Sequence, residues 1–133
     1  MGSRDQQNGL KAAKTLNALG LANVESVQLD VTNLTSVQGA RKELEAKLAA
    51  LDGLINNAGI AGYQPQTFRS GDLTNLRQLL ETNLFGAVQT TQQFMPLLAK
   101  GAHSVIVNVS SEVGSLTRHS SADKRNRSNL QAV

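Results

Sequence analysis

Cysteine and tryptophan are absent from the 133 residues, and one tyrosine and three phenylalanines supply all the aromatic character. Without cysteine there is no disulfide and no thiolate metal site, and no metal is expected. With so few aromatics the core must come from Leu, Val, Ile and Ala, as it does in helix-covered parallel sheets. No apolar run approaches the roughly 20 residues of a membrane span. Residues 1–7 also lack the apolar stretch of a secretory signal. The expectation is a cytoplasmic protein with no membrane association. Charged residues make up only 17% against 40% hydrophobic, the balance of a globular chain rather than a disordered one. The length allows one small domain.

The net charge of +3 is unevenly spread. Residues 112–133 carry Arg118, Lys124, Arg125 and Arg127 against Glu112 and Asp123, so the basic character belongs mostly to this tail. Nucleic-acid grooves interleave aromatics with their charges, and the tail has none. A solvated polar loop over residues 118–133 is expected, with no nucleic-acid partner. His103 opens an apolar run and His119 lies in the tail; both read as surface residues rather than acid-base groups.

Hydrophobic spacing orders the rest. Leu10, Ala13, Leu16 and Leu19 recur at helical intervals over residues 5–19, and Gly20 follows as a C-cap. Residues 24–31 read as a strand. Asn33 can cap a helix whose stripe is Leu34, Val37, Leu44, Leu48 and Leu51, interrupted at Arg41. Residues 51–56 form a short apolar strand, followed by a loop over residues 60–71. Asp72 can cap a long helix with the stripe Leu73, Leu76, Leu80, Leu84, Val88, Thr91, Met95 and Leu98. Gly86 and Pro96 inside it predict a bend or a break, and Gly101 ends it. A third strand covers residues 104–110. Strands alternating with long helices imply βαβ crossovers and a parallel sheet.

Ligands of open parallel sheets collect at the carboxyl ends of the strands. Here those ends read Asp30-Val31, Asn56-Asn57-Ala58-Gly59 and Asn108-Val109-Ser110-Ser111. All three turn polar or small where the apolar runs stop.

These segments resemble, in order, the motifs of the short-chain dehydrogenase/reductase family. Asn-Asn-Ala-Gly is similar to its central motif and Asp-Val-Thr to its adenine-contacting turn. Asn83-Leu84-Phe85-Gly86 resembles its mid-helix Asn-x-x-Gly, and residues 107–114 resemble the strand that delivers its serine. Glu112 and the Gly-Ser-Leu after it look like the carbonyl-reductase branch. The resemblance covers residues 1–117. It implies a Rossmann-type doubly wound α/β sheet, incomplete, as a partial NADP-binding domain. It also implies hydride transfer between NADP(H) and a small carbonyl or alcohol substrate. Ser111 would hydrogen-bond the substrate oxygen, and Asn83 would hold a water of the proton relay. Asp30, with Val31 beside it, would receive the adenine amino group. Asn57, Ala58 and Gly59 would bring backbone close to the ribose, with Gly59 permitting the approach and Asn57 able to tie neighbouring strands. Gly2-Ser3-Arg4-Asp5 resembles the end of the family's second strand, where Ser3 and Arg4 would meet a 2′-phosphate; Met-Gly-Ser is also a common cloning remnant. Family members commonly pair, so a homodimer or homotetramer is implied, seated on the helix after Asp72.

Two family parts have no match. No Gly-x-x-x-Gly-x-Gly occurs, and the only tyrosine, Tyr63, precedes the serine and heads no Tyr-x-x-x-Lys. The expectation is a fragment or truncated product, with the first strand, most of the second and the segment after the serine strand missing. Such a chain alone should be inactive and poorly packed. The alternative is a truncated non-catalytic homologue that binds or regulates a full-length subunit. A third reading, a plain nucleotide-binding module, would not depend on Ser111.

Overall fold

The computed structural model describes residues 1–64, 69, 71–111, 115 and 117. The expected tail of residues 118–133, with His119, lies outside them, as do Glu112 and Gly114. The elements run β1 (Gly2–Ser3), α1 (Gln6–Ala18), β2 (Val27–Gln28), α2 (Leu34–Glu45), β3 (Gly53–Asn56), α3 (Leu73–Leu80), a π-helical turn (Glu81–Phe85), α4 (Gly86–Leu98) and β4 (Val105–Asn108). α2 and α3 start where the sequence places caps. Asp5, Asn33 and Asp72 each accept a hydrogen bond from a backbone N–H of the first turn, which satisfies a donor the helix leaves open. Gly20, at φ +88, closes α1 in the left-handed region that favours glycine.

The strands form two parallel pairs rather than one sheet: β1 with β2, and β3 with β4. Gly2 and Ser3 pair with Val27 and Gln28, so the first residues behave as the end of a strand and not as an appendage. The expected strand over residues 24–31 is shorter than its apolar pattern: its ladder with β1 runs from Val27 N–H on the Met1 carbonyl to Leu29 N–H on the Ser3 carbonyl. Upstream, Val24 is held by the side chain of Asn17 instead.

Between the pairs lies a cleft of about 650 Å³, lined on one side by Gly2 and Ser3 and on the other by Gly53, Leu54 and Ile55. A parallel ladder uses alternate residues of each strand. With the carbonyls of Asp52 and Asn56 bonded to β4, the peptide groups of Gly53 and Ile55 point into the cleft. Helices join what the strands do not. α2 packs on α4 and α4 on β3, around a core of Val27, Val37, Ala40, Phe94, Leu97 and Leu98. Burying each large side chain contributes roughly 1.5–3 kcal/mol.

The helix after Asp72 is interrupted next to Gly86, as expected, but not at Pro96. The irregularity is the π turn at residues 81–85, one residue before Gly86, and Pro96 sits in the last turn, where it breaks nothing. Gly86 also answers to a contact: a Cβ there would lie 2.8 Å from Val31 Cγ2. The apolar stripe faces outward. Leu73, Leu76, Leu80, Leu84, Val88 and Met95 are each at least 41% exposed. The buried face is Gly86, Thr90, Phe94 and Leu97, with Leu98 alone shared between the two. α2 also ends at Glu45, short of the predicted stripe, with Arg41 paired to Glu45 along its side. No helix among the described residues is long and apolar enough to cross a membrane.

Exposed leucines and an open cleft leave little cooperative packing in these 133 residues by themselves. Expressed alone, they should show helix by far-UV circular dichroism, a weak near-UV signal and a broad melting profile. A sharp calorimetric transition would contradict this.

Candidate active site and cofactor cleft

The carboxyl ends of β1, β2 and β3 open on the same cleft: Arg4, Asp30 and Val31 line it from one side and Asn57, Ala58 and Gly59 from the other. β1 ends at Ser3, whose hydroxyl donates to the Asp5 carbonyl at 2.8 Å. The Arg4 carbonyl accepts from Gln28 Nε2, and its guanidinium belongs to no ion pair among the described residues. Asp30 forms a tight turn at the end of β2. Its Oδ1 accepts from Thr32 Oγ1 at 2.7 Å and from Thr32 N–H at 2.9 Å. These bonds, with help from the nearby positive charge of Arg4, hold the Asp30 carboxyl below its ordinary pKa, so it presents an acceptor. Ser36 Oγ donates nothing to that turn but accepts Asp30 N–H, tying it to the first turn of α2.

The ends of β3 and β4 are joined by asparagine. Asn56 Nδ2 donates to Asn108 Oδ1 at 2.8 Å and to Thr91 Oγ1 on α4 at 2.9 Å. The strand tie expected of Asn57 is therefore made by Asn56, because alternation along a strand puts neighbouring side chains on opposite faces. The sequence reading named Asn56 and Asn108 only as strand ends and Thr91 only in the helix stripe; the paired register of two strand-terminal asparagines was the available signal for their tie. Gly59 is not forced by its own surroundings. A Cβ there would meet only Asn83 Oδ1, at an ordinary 3.5 Å, and its φ is unremarkable.

Asn83 lies within the π turn. Its amide accepts Ile60 N–H at 2.8 Å and donates to Ile60 C=O at 2.9 Å. The side chain thus fixes the backbone just beyond Gly59. Around it the helix bonds shift to the π pattern, with Gly86 N–H reaching Glu81 C=O. Ser111 follows β4 by three residues and is exposed. It stands beyond the Asn56–Asn108 tie, on the strand-end side of the sheet. The cleft brings together Ser3, Arg4, Asp30, Val31, Asn57, Ala58 and Gly59, while Asn83 and Ser111 are not among its lining residues.

Tyr63 is not the missing acid-base tyrosine. Its hydroxyl donates to Asp72, and that bond raises its pKa while lowering that of Asp72. A catalytic tyrosine needs the opposite shift to exchange a proton near neutral pH. His103 is exposed before the start of β4, away from the strand ends, as expected. No cluster of three metal-ligating side chains occurs among the described residues.

Residues 1–122 match the short chain dehydrogenase family. The chain is 35% identical over 136 aligned positions to short-chain dehydrogenase/reductase 1 of Saponaria officinalis, covering 87% of this chain and 45% of that protein. It is 33% identical over 113 positions to the mitochondrial D-beta-hydroxybutyrate dehydrogenase of Mus musculus, covering 82% and 32%. Among solved structures, salutaridine reductase of Papaver somniferum superposes with a TM-score of 0.78 at 27% identity, covering 88% of this chain and 50% of that one. A gluconate 5-dehydrogenase of Burkholderia cenocepacia, in complex with NADP and tartrate, gives 0.77 at 25% identity, covering 87% and 44%. The chain spans less than half the length of these two curated relatives.

Proposed function

Because the chain belongs to the short-chain dehydrogenase/reductase family, whose members are oxidoreductases using nicotinamide cofactors, we propose that the protein containing it is an NADP(H)-dependent reductase or dehydrogenase of a small carbonyl or alcohol. The observation that carries the reading is the placement of Arg4. An arginine with no ion-pair partner among the described residues sits at the end of β1, lining the same cleft as Asp30 and Asn57–Gly59.

The residues fit the cofactor. Arg4 offers the fork of donors that suits a phosphate monoester, where a carboxylate would instead suit the free ribose hydroxyls of NAD. Ser3 lies next to it. Asp30, kept ionised by Thr32, accepts from the adenine amino group, with Val31 against the ring. Asn57, Ala58 and Gly59 border the ribose, and the lack of a Cβ at Gly59 keeps that border open. The nicotinamide, when bound, supplies or receives the hydride.

Ser111 works on the substrate side. Its hydroxyl donates to the substrate oxygen and stabilises the negative charge that grows there. Asn83 contributes through its main chain, since its amide is engaged by Ile60. The π turn that carries Asn83 leaves helix backbone open to hold a water of the proton relay. The outward stripe of Leu76, Leu80, Leu84 and Val88 supports pairing of subunits through α3 and α4.

Two kinetic results test this in the intact protein. It should prefer NADPH to NADH in kcat/KM, and Arg4→Asp should erase or reverse the preference; equal kcat/KM with both cofactors before mutation rules the assignment out. Ser111→Ala should lower kcat by about 10²–10³, the range for one oxyanion donor, with cofactor affinity nearly unchanged. Ser110→Ala should be much milder, and the reverse ranking would show that the wrong serine had been assigned.

A further inference from the structure

Two asparagines about two helical turns apart hold one loop by the same means. Asn83 brackets the peptide groups of Ile60, as described above. Asn75, eight residues earlier on α3, does so for Tyr63: its Nδ2 donates to Tyr63 C=O at 2.7 Å and its Oδ1 accepts Tyr63 N–H at 3.2 Å. A carboxamide facing a backbone edge in this way makes both bonds a neighbouring strand would make. Asn75 is only 2% exposed, inside a helix, where asparagine is intrinsically unfavourable. An apolar residue would serve the helix better, so the amide answers to the loop.

The loop between the clamps is bent to suit them. Gly62 lies at φ +70, a conformation that other residues adopt only with strain. Its position between Ile60 and Tyr63 lets both peptide groups turn toward the helix. Ile60, the first clamped residue, lines the main cleft and also a smaller cavity of about 280 Å³ shared with Arg4, Thr32 and Thr82.

We infer that Asn75 is a positioning residue for nucleotide binding, holding residues 60–63 so that Ile60 forms a fixed wall of the cleft opposite Arg4. The inference rests on the NADP(H) reading above. With one clamp the loop can pivot about Ile60; with two its course is set. The hydroxyl of Tyr63 takes no part, since the clamp grips its backbone and the side chain goes to Asp72. A loop that holds the competent course for only a fraction of the time weakens apparent affinity by that fraction.

The test is NADPH titration of the intact protein, with steady-state kinetics and amide hydrogen exchange, for Asn75→Ala, Gly62→Ala and Tyr63→Phe. Asn75→Ala and Gly62→Ala should each raise the NADPH Kd about three- to tenfold, as a loop competent a third to a tenth of the time requires. Their kcat at saturating NADPH should stay within about twofold, and the Tyr63 amide should exchange faster. Gly62→Ala leaves the buried amide in place, so it tests the loop even if Asn75→Ala folds poorly. Tyr63→Phe keeps the backbone clamp and should bind NADPH normally. Unchanged Kd in both loop variants overturns the inference, as does a loss confined to kcat. Absence of NADPH binding by the unmutated protein would instead defeat the function reading, and this inference with it.

Discussion

Val31 against Gly86 is the contact on which the geometry of the cleft depends. Among the described residues the two strand pairs share no ladder, and the helix laid across both joins them. α4 holds β2 at one point through Gly86, where a side chain would push Val31 away, and through Gln89, whose Nε2 donates to the Val31 carbonyl. One turn further on it holds β3 through Thr91 and Asn56. The helix therefore acts as a ruler between Asp30 on one side and Asn57–Gly59 on the other. Packed interiors do not deform continuously, so a displacement at residue 86 would be passed to both strand ends.

Much of this was legible in the sequence, for physical reasons. Caps at Asn33 and Asp72 were readable because a short polar side chain before an apolar period has few other uses, while the cap at Asp5 came from the structure. The strand ends were readable because apolar runs stop abruptly at polar residues. The long helix turns its strongest apolar stripe outward, on the element where pairing of subunits was expected. Periodicity finds an amphipathic face but does not say whether sheet or partner covers it. The buried face, Gly86, Thr90, Phe94 and Leu97, looks weak on paper because two of its four members are small or polar. Gly86 adjoins the π turn, and its contact with Val31, 55 residues earlier, is a relation no local pattern carries.

Asparagine recurs at the points where backbone segments meet. Asn33 caps a helix, Asn56 joins two strands to α4, and Asn75 and Asn83 clamp the loop beyond β3. Asn33 uses its acceptor and Asn56 its donor, while Asn75 and Asn83 use both at once. The sequence named Asn33, Asn57 and Asn83 but passed over the contacts of Asn56 and Asn75, since their partners lie 35 or more residues away in one case and on an irregular loop in the other. The result is a site whose contact surfaces are largely backbone, with few charged side chains beyond Arg4 and Asp30. That suits the proposed role of positioning a cofactor that carries the chemistry itself.

The claim that α4 sets the cleft is tested most directly by Gly86→Val in the intact protein, compared with the exposed-face change Gln92→Ala. Overpacking at such a contact costs about 1–3 kcal/mol. The account predicts that Gly86→Val weakens NADPH binding about tenfold or more while the protein still unfolds cooperatively, since 1.4 kcal/mol corresponds to a factor of ten. Gln92→Ala should bind as the unmutated protein does. A folded Gly86→Val protein with unchanged NADPH affinity would contradict it.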